Sequence, residues 1–386
     1  MAEQGTLTPS RGKGQRPFGV PTLEDLPDPR GRTVLVRADL DFAAVDEDSM
    51  RHDRRVTMLI PTLQWLLDRG ASVTVCGHRG DLDQPSDAEA FSRLQAGLES
   101  ICPGITVLPD LAGRGERTPK GQLVDELVRG QDVYVNEAFQ WSWLPLASVV
   151  GPPKTLPGAA GLQLARDIAL LEPYLLEPTR PFVVVLGSDQ SLLRLRGLDA
   201  LILRADAVLV GGIMSSLLLQ AIGKQPAHDT DPEVLEACRS CYGLGMELRH
   251  TIHLPRDLVW DHGDGTTTVA DSDVTVSGTV SDIGPATRRR YAEVLRGAGC
   301  VLWTGALGRV EDSRFTEGTA AVARALPSDR RVLLGGDGLL STLSEAGLLQ
   351  QEFGVLSATD SAVVLLKDGD LPGLTALRQS PAPQPQ

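Results

Sequence analysis

The stretch Val183–Arg194, VVVLGSDQSLLR, decides the fold class that the sequence predicts. A run of four apolar residues, then Gly187, then an apolar helical pattern carrying Arg194 predicts a strand, a tight turn and a helix. Such a turn can aim free backbone N–H groups at a phosphate, and the helix N-terminus adds about half a positive charge. Many such turns in α/β proteins bind nothing, so the stretch taken alone leaves both interpretations open.

The same pattern recurs in the second half of the chain. Three predicted strands of this half, ending at 187, 304 and 335, each run into a turn that contains glycine before a helix. Because the carboxyl ends of parallel strands meet at one edge of a sheet, the sequence favours a nucleotide cleft there. Asp337, in the turn GGDG, is the carboxylate predicted to hold Mg²⁺ on the phosphates.

The first half also alternates strands and helices, and its strands end in charged residues. Asp39 and Asp41 follow the predicted strand Thr33–Arg37, and His78 follows the strand that ends at Cys76. These positions are where ligands bind in α/β folds, although the carboxylates could instead cap a helix. Trp141 and Trp143 follow another strand, where they form either core packing or the wall of an apolar ligand pocket.

Composition excludes several classes of protein. A formal net charge of −13 over 386 residues argues against broad binding to nucleic acid or to anionic membranes. No stretch reaches the roughly 20 apolar residues of a membrane span, and the N-terminus lacks the apolar core of a signal peptide. We therefore expect a cytoplasmic protein that binds small molecules.

The predicted architecture is α/β, with two doubly wound parallel-sheet domains joined by a hinge helix. Residues 1–30 are expected to form a loose arm, and residues 31–177 a domain that includes the helix 162–176. Residues 178–366 form the second domain, and residues 367–386 a tail whose end is disordered.

Ten segments carry a resemblance when they are taken in chain order: VLVRADLDF, RRV, VTVCGHRGD, DVYVNEAF, PFVVVLGSDQ, ADAVLVGGIMS, SDIGPAT, VLWTGALGRVED, LLGGDG and KDGDLPGL. From about Gly31 to Leu377 the chain resembles phosphoglycerate kinase. The resemblance implies an acid-substrate domain, a nucleotide-binding domain and a tail that returns to the first domain. It also implies transfer of a phosphoryl group from ATP to a carboxylate, completed by hinge closure.

Site residues follow from the resemblance position by position. It implies catalytic roles for Arg55, Arg194 and Asp337, with Asp337 as the Mg²⁺ ligand. On the acid side, the residues that match the family or line the altered end of the site are Asp39, Asp41, Arg55, His78, Arg79, Trp141 and Trp143. On the nucleotide side, the predicted residues are Gly187, Gln190, Arg194, Gly211, Gly212, Thr304, Gly305, Glu311, Gly336, Asp337 and Gly338.

The family pattern fails where it grips the distal phosphate of phosphoglycerate. Asp81 and Leu144 stand at two positions where the family has a clamping arginine, and a third arginine has no counterpart. Each lost charge-assisted hydrogen bond is worth about 1.5–3 kcal/mol, so phosphoglycerate would bind far more weakly. On the nucleotide side Gln190 and Arg194 replace lysines, and 358–360 replace a triple glycine.

The resulting hypothesis is an ATP- and Mg²⁺-dependent kinase that activates a carboxylic acid as an acyl phosphate. The acid is expected to be apolar or amine-bearing at its distal end, and an amine acceptor or partner enzyme is expected downstream. Two alternatives stay open at this point. One is a genuine phosphoglycerate kinase of glycolysis, and the other is a catalytically silent nucleotide-binding protein.

Overall fold

A computed structural model describes residues 16–42, 46–187, 192–225, 230–248 and 252–382, without the side chains of residues 192–196. The described chain forms two compact units. The first unit contains residues 16–172 and 368–382, and the second unit contains residues 173–367. No helix in the described residues is both long enough and apolar enough to cross a membrane.

Strands and helices alternate along both units, as the apolar periodicity predicts. The strands are β1 Thr33–Arg37, β2 Ser72–Cys76, β3 Ile105–Val107, β4 Val133–Asn136, β5 Gly158–Ala160, β6 Phe182–Leu186, β7 Ala207–Val210, β8 Ile252–His253, β9 Asp257–Asp261, β10 Thr267–Asp271, β11 Thr279–Ile283, β12 Cys300–Thr304, β13 Arg331–Gly335 and β14 Gly354–Val355. The helices are α1 Glu47–His52, α2 Arg54–Leu67, α3 Ala88–Ile101, α4 Gln122–Val128, α5 Ala147–Val150, α6 Leu162–Leu176, α7 Leu192–Arg204, α8 Gly212–Ala221, α9 Pro232–Glu247, α10 Pro285–Arg296, α11 Glu317–Ala323, α12 Asp337–Glu345, α13 Asp360–Asp368 and α14 Pro372–Arg378.

The first unit is built on a five-stranded parallel sheet of order β3-β2-β1-β4-β5. Its central strand β1 is buried except at its first residue, and helices α2 and α3 pack on it through apolar side chains spaced three and four residues apart. The strand order reverses between β1 and β4, so ligands are expected beyond the carboxyl ends of these two strands.

The second unit is built on a six-stranded parallel sheet of order β14-β13-β12-β6-β7-β8, with the order reversing between β6 and β12. This is the strand order of dinucleotide-binding folds. A separate antiparallel sheet, β10-β9-β11, belongs to the same unit. The two parallel sheets confirm the doubly wound α/β class that the sequence predicts.

Helix α6 begins at a buried carboxyl group. Glu137, which follows β4, accepts hydrogen bonds from the backbone N–H groups of Gln163 and Leu164 at 3.1 and 3.2 Å and from the hydroxyl of Thr62. Burial and the nearby Asp167 raise the pKa of Glu137 to about 8. One side chain therefore satisfies two of the orphan donors at the helix start.

Residues 17–30, predicted as part of a loose arm, are instead packed. Val20 and Leu23 are buried, and Thr22 forms a parallel bridge with Ala160 beside β5. The segment PFGVPTLEDL has an apolar residue every few positions, and these side chains can be buried. Its Gly and Pro content is instead typical of a loose segment, which is why the prediction was wrong. Residues 1–15 and the tail end 383–386 lie outside the described residues.

Candidate active site

The loops after β1 and β4 come together in the first unit. The indole N–H of Trp141 donates to the Asp39 carboxylate at 3.1 Å, and Arg55 Nε lies 3.6 Å from the other oxygen of that carboxylate. Asp53 caps helix α2 by accepting from the Arg55 N–H, which fixes Arg55 in the first turn. Three residues predicted for the acid site therefore lie in direct contact.

Asp41 ties this cluster to the loop after β2. Its backbone N–H donates to Asp39 at 3.2 Å, its carbonyl accepts from Arg55, and its carboxylate accepts from the Gly80 N–H at 2.9 Å. Asp41 therefore links the loop after β1 to the loop after β2, in addition to its predicted role in binding the acid.

The geometry around His78 fixes its tautomer. His78 is fully buried, and its Nδ1 lies 2.7 Å from Arg37 Nη2. A guanidinium can only donate, so Nδ1 must accept and Nε2 must carry the hydrogen. Burial and the charge of Arg37 lower the pKa of His78 to about 2, so the ring stays neutral. Its Nε2–H is buried and has no hydrogen-bond partner in the described residues.

Arg37 belongs to the same buried cluster, although it is not among the residues predicted for this site. It is fully buried, and its Nε donates to Ser148 Oγ at 2.7 Å while Nη1 donates to the Ala38 carbonyl. Ser148 in turn donates to the buried carboxylate of Glu116 at 2.6 Å. The sequence could have indicated this residue, because Arg37 ends the apolar strand TVLVR and a buried charge needs a polar partner.

The other predicted residues of this site differ in their contacts. Arg79 is half-buried, and its Nη1 has no partner in the described residues. Trp141 packs edge-on against His78, with ring centroids 4.2 Å apart. Trp143 is half-buried, and no ring contact or hydrogen bond among the described residues joins it to this cluster. Asp81 is exposed and caps the N–H of Asp83.

An apolar cluster of the first unit includes Trp141 and Leu144. Its buried members are Leu82, Leu146, Val149 and Val150. Trp141, Leu144 and Ala376 pack against them. Leu144 therefore takes part in packing at a position where the resemblance places an arginine.

In the second unit, four turns meet at the carboxyl edge of the sheet. The Gly187 N–H donates to the Thr304 carbonyl at 2.9 Å, the Gly305 N–H to the Gly335 carbonyl at 3.0 Å, and the Gly212 N–H to the Leu307 carbonyl at 2.8 Å. A Cβ on Gly187 would lie 2.0 Å from the Ala306 carbonyl oxygen, so only glycine fits there.

These bonds correct one sequence expectation. The N–H groups of Gly187, Gly211, Gly212 and Gly305 are bonded to neighbouring turns and strands, so they are not free for a phosphate. The free donors are expected instead at helix N-termini: within the described residues α8 and α12 each follow a glycine and have no side-chain cap. Gly336, before α12, has a φ of +103° that favours glycine.

Asp337 is exposed and is the first residue of α12, followed by Gly338. The described residues contain no group of three or more His, Cys, Asp or Glu side chains that could hold a metal alone. Mg²⁺ normally needs one or two carboxylates with substrate phosphates, so Asp337 beside an uncapped helix start fits this ion. Gln190 lies outside the described residues, and so does the side chain of Arg194 on α7.

A cavity of about 480 Å³ adjoins this edge within the second unit. Gly212, Gly308 and the exposed Glu311 lie in its wall, with Leu307 and residues of α8, β9 and β11. The described glycines among the predicted nucleotide residues, with Thr304 and Asp337, thus lie at one sheet edge, and Glu311 lies at the cavity beside it.

Comparison with known proteins agrees with this architecture. The sequence model of the family described as "Phosphoglycerate kinase" matches residues 23–115 and 105–369. The phosphoglycerate kinase of Thermus thermophilus is 28% identical over 92% of this chain and 99% of its own length. That of Salinispora tropica is 31% identical over 92% of this chain and 98% of its own. The solved structure of phosphoglycerate kinase from Coxiella burnetii shares the fold, with a TM-score of 0.77, 23% identity and coverage of 93% and 99%.

Two doubly wound domains with these similarities define a phosphotransferase of the kinase type. The chain belongs to the phosphoglycerate kinase family.

Proposed function

We propose that this protein is an ATP- and Mg²⁺-dependent kinase that phosphorylates the carboxyl group of an acid other than 3-phosphoglycerate. The observation that carries the proposal is the contrast within the first-unit site. Asp39, Arg55 and His78, which match the carboxyl end of the family site, lie close together. The position of a family arginine is taken by Leu144, which packs on Leu82 and Leu146.

The buried cation near this site does not replace the missing arginines. Every nitrogen of Arg37 is engaged by Ser148, Ala38 or His78. The side chain is fully buried, so a phosphate dianion could reach its two remaining N–H groups only by entering the packed interior. An acid with an apolar or amine-bearing distal end can instead pack on Trp141 and Leu144, close to the Asp39 carboxylate.

In the proposed reaction, Arg55 faces the substrate carboxylate and the neutral Nε2–H of His78 donates a hydrogen bond to the acid. No general base is required, because a carboxylic acid is already ionised at neutral pH. Asp337 would hold Mg²⁺ together with phosphate oxygens, where the ion supplies charge neutralisation. Arg194 on α7 is the second cation that we assign to the transferring group. The acyl phosphate product is open to attack by an amine, so a downstream amine acceptor or partner enzyme belongs to this proposal.

Genuine phosphoglycerate kinase is the second candidate, and one observation favours it. Arg79 Nη1 is buried without a partner in the described residues, so one guanidinium remains to meet an anion. The curated relatives at 28–31% identity all bear the name phosphoglycerate kinase.

The test is a hydroxylamine trap of acyl phosphates with ATP, Mg²⁺ and a panel of amino, aryl and aliphatic acids, with 3-phosphoglycerate in parallel. A hydroxamate from a non-phosphorylated acid, at a kcat/KM above that for 3-phosphoglycerate, supports the proposal. Faster turnover of 3-phosphoglycerate than of every other acid overturns the substrate assignment. ATP binding without a hydroxamate from any acid would favour the catalytically silent nucleotide-binding protein.

A further inference from the structure

A buried carboxylate that the proposed reaction does not use lies behind the first-unit site. Glu116 is in the loop between β3 and α4, and only 1% of its surface is exposed. One of its oxygens accepts from the hydroxyl of Ser148 at 2.6 Å, and the other accepts from the N–H of the same residue at 3.0 Å. A carboxylate is costly to bury, so its contacts indicate what it stabilises.

The hydroxyl of Ser148 connects Glu116 to Arg37. A guanidinium can only donate, so the hydroxyl oxygen accepts from Arg37 Nε at 2.7 Å. The single hydroxyl hydrogen is then left to donate to Glu116. Arg37 and Ser148 are both fully buried, so one hydroxyl joins the guanidinium to the carboxylate in the interior of the unit.

The other end of this series of hydrogen bonds is the ring of His78. Arg37 Nη2 donates to Nδ1 at 2.7 Å, which leaves the ring hydrogen on Nε2. The series therefore runs through His78, Arg37, Ser148 and Glu116, and the direction of each of its hydrogen bonds is fixed. Reversing any one of them would place two donors or two acceptors face to face.

The position of Arg37 depends on the charge of Glu116. Removing one partner of a buried ion pair leaves the other charge uncompensated, so a neutral side chain at position 116 would no longer hold the guanidinium in the interior. Nδ1 of His78 would then lose its donor. The ring could carry its hydrogen on either nitrogen.

Glu116 also holds the helix that supports the apolar part of the site. Its carbonyl accepts from the N–H of Ala147 at 2.6 Å, so the first two N–H groups of α5 both donate to this one residue. Helix α5 supplies two buried valines to the apolar cluster on which Trp141 and Leu144 pack. One carboxylate therefore connects the polar and the apolar sides of the first-unit site.

We propose that Glu116 is a positioning residue of the acid site, which acts through Ser148 and Arg37 to keep the ring hydrogen of His78 on Nε2. The inference rests on the proposed function, because it takes this N–H as the group that donates to the acid. It gives Glu116 a role in that reaction without direct contact with the substrate.

The test records nitrogen-15 NMR spectra of the histidine rings in the full chain, without acid or nucleotide. The two neutral tautomers and the charged ring each have their own pair of ring-nitrogen shifts, and His78 is assigned by its absence from His78→Gln. Wild type should show one neutral form with the hydrogen on Nε2. Glu116→Gln should show a mixture of the two neutral tautomers.

Two further variants show whether the effect passes through Arg37. Arg37→Met removes the donor to Nδ1 and should give the same mixture, and adding Glu116→Gln to it should change the His78 signals no further. Ser148→Ala keeps both charges and removes the hydroxyl between them, so it decides the question if Glu116→Gln does not fold. Glu99→Gln is the matched control, because this half-buried carboxylate of α3 accepts from the Val107 N–H and should leave His78 unchanged.

Kinetics provide a second readout. For the acid of the hydroxylamine panel that reacts fastest, Glu116→Gln should raise KM about tenfold, as expected for one weakened hydrogen bond, and leave the KM for Mg·ATP unchanged. Wild-type His78 signals in a folded Glu116→Gln protein, or an unchanged KM for that acid, would overturn the inference. The NMR comparison contains no acid, so its result is independent of whether the proposed function holds.

Discussion

The predicted ligand-binding edges of the two sheets differ in the groups that form them: backbone groups in the second unit and side chains in the first. At the second-unit edge, backbone groups of the turns at Gly187, Gly305 and Gly336 are bonded or packed against one another, and helices begin beside them. At the first-unit edge the contacts are made by side chains: Asp39 accepts from Trp141, and His78 accepts from Arg37. A site made of backbone changes little when side chains change, whereas a site made of side chains changes with each substitution.

The chain departs from the family pattern at both predicted edges. At the predicted nucleotide edge the glycines at 187, 305 and 336 are kept, but residues 358–360 stand where the resemblance places a triple glycine. At the predicted acid edge Leu144 stands where the resemblance places an arginine. We therefore expect substitutions at the nucleotide edge to affect every substrate equally, and substitutions at the acid edge to select among acids.

The largest effect is expected for Asp337→Ala. Removing the carboxylate at the start of α12 should lower kcat about a thousandfold, because Mg²⁺ and the phosphate charge lose their protein partner. Stabilisation by Mg·ATP in a thermal unfolding experiment should also be lost. Asp329→Ala is the control, since this exposed carboxylate precedes β13 at the opposite edge of the sheet. Wild-type turnover in Asp337→Ala would contradict the assignment of Asp337 as the Mg²⁺ ligand.

Arg55→Met is expected to have the next largest effect. Loss of the cation that faces the acid should lower kcat/KM for the acid about a hundredfold, and the affinity for Mg·ATP should not change. Kinetics at varied acid and fixed ATP measure this difference. Arg51→Met is the matched control, because Arg51 is exposed and pairs with Glu47. An equal loss of ATP affinity would contradict the assignment of Arg55 to the acid.

Placing arginines at positions 81 and 144 tests whether these two positions set the preference among acids. The double substitution Asp81→Arg and Leu144→Arg should raise kcat/KM for 3-phosphoglycerate about ten- to a hundredfold, because two guanidinium groups would return to a dianion. A coupled assay measures the gain. Asp83→Arg reverses a charge two residues away, at a carboxylate that pairs with Arg117, and should give no gain. A folded double variant without any gain would show that these positions do not set specificity.

The smallest effect concerns His78 and acid stability. Its pKa is lowered to about 2 in the folded protein, so below pH 6.5 only the unfolded chain takes up this proton. The free energy of unfolding should therefore fall by about 2 kcal/mol from pH 7 to pH 5 on account of this residue. Glu137 contributes the opposite trend over the same range, so the two trends largely cancel in wild type. In urea unfolding His78→Gln should therefore gain about 2 kcal/mol of stability relative to wild type from pH 7 to pH 5, and the exposed His52→Gln should follow the wild-type curve. Equal slopes in wild type and His78→Gln would contradict a neutral buried ring.

The strand and helix alternation could be predicted because each element buries a regular apolar pattern. Strand β1 and helix α6 begin and end where the sequence indicates, since charged residues, glycine or proline flank them. Asp39 and His78 could be placed at one edge by the same logic, because both directly follow parallel strands.

Other features depend on contacts between distant residues and leave no local signal. Arg37 donates to Ser148, which lies 111 residues later in the chain, and Ser148 donates to Glu116, which lies 32 residues before it. Gln225 stands in a polar connection whose composition indicates only a loop. Its side-chain amide nevertheless donates to the backbone carbonyls of Ser272 and Val274, nearly fifty residues away. Trp143 shares its sequence setting with Trp141, so only the three-dimensional structure separates the two.

The carboxyl group of Glu137 has a consequence for solution conditions. Its pKa is about 8 in the folded protein and ordinarily 4.5, so between these values only the folded chain keeps the proton, and stability falls as the solution becomes more alkaline. Between pH 4.5 and 6.5 this trend and the opposite one of His78 cancel, which leaves a plateau. We expect storage in mildly acidic buffer to preserve the protein best, and unfolding curves recorded across that range will measure the width of the plateau.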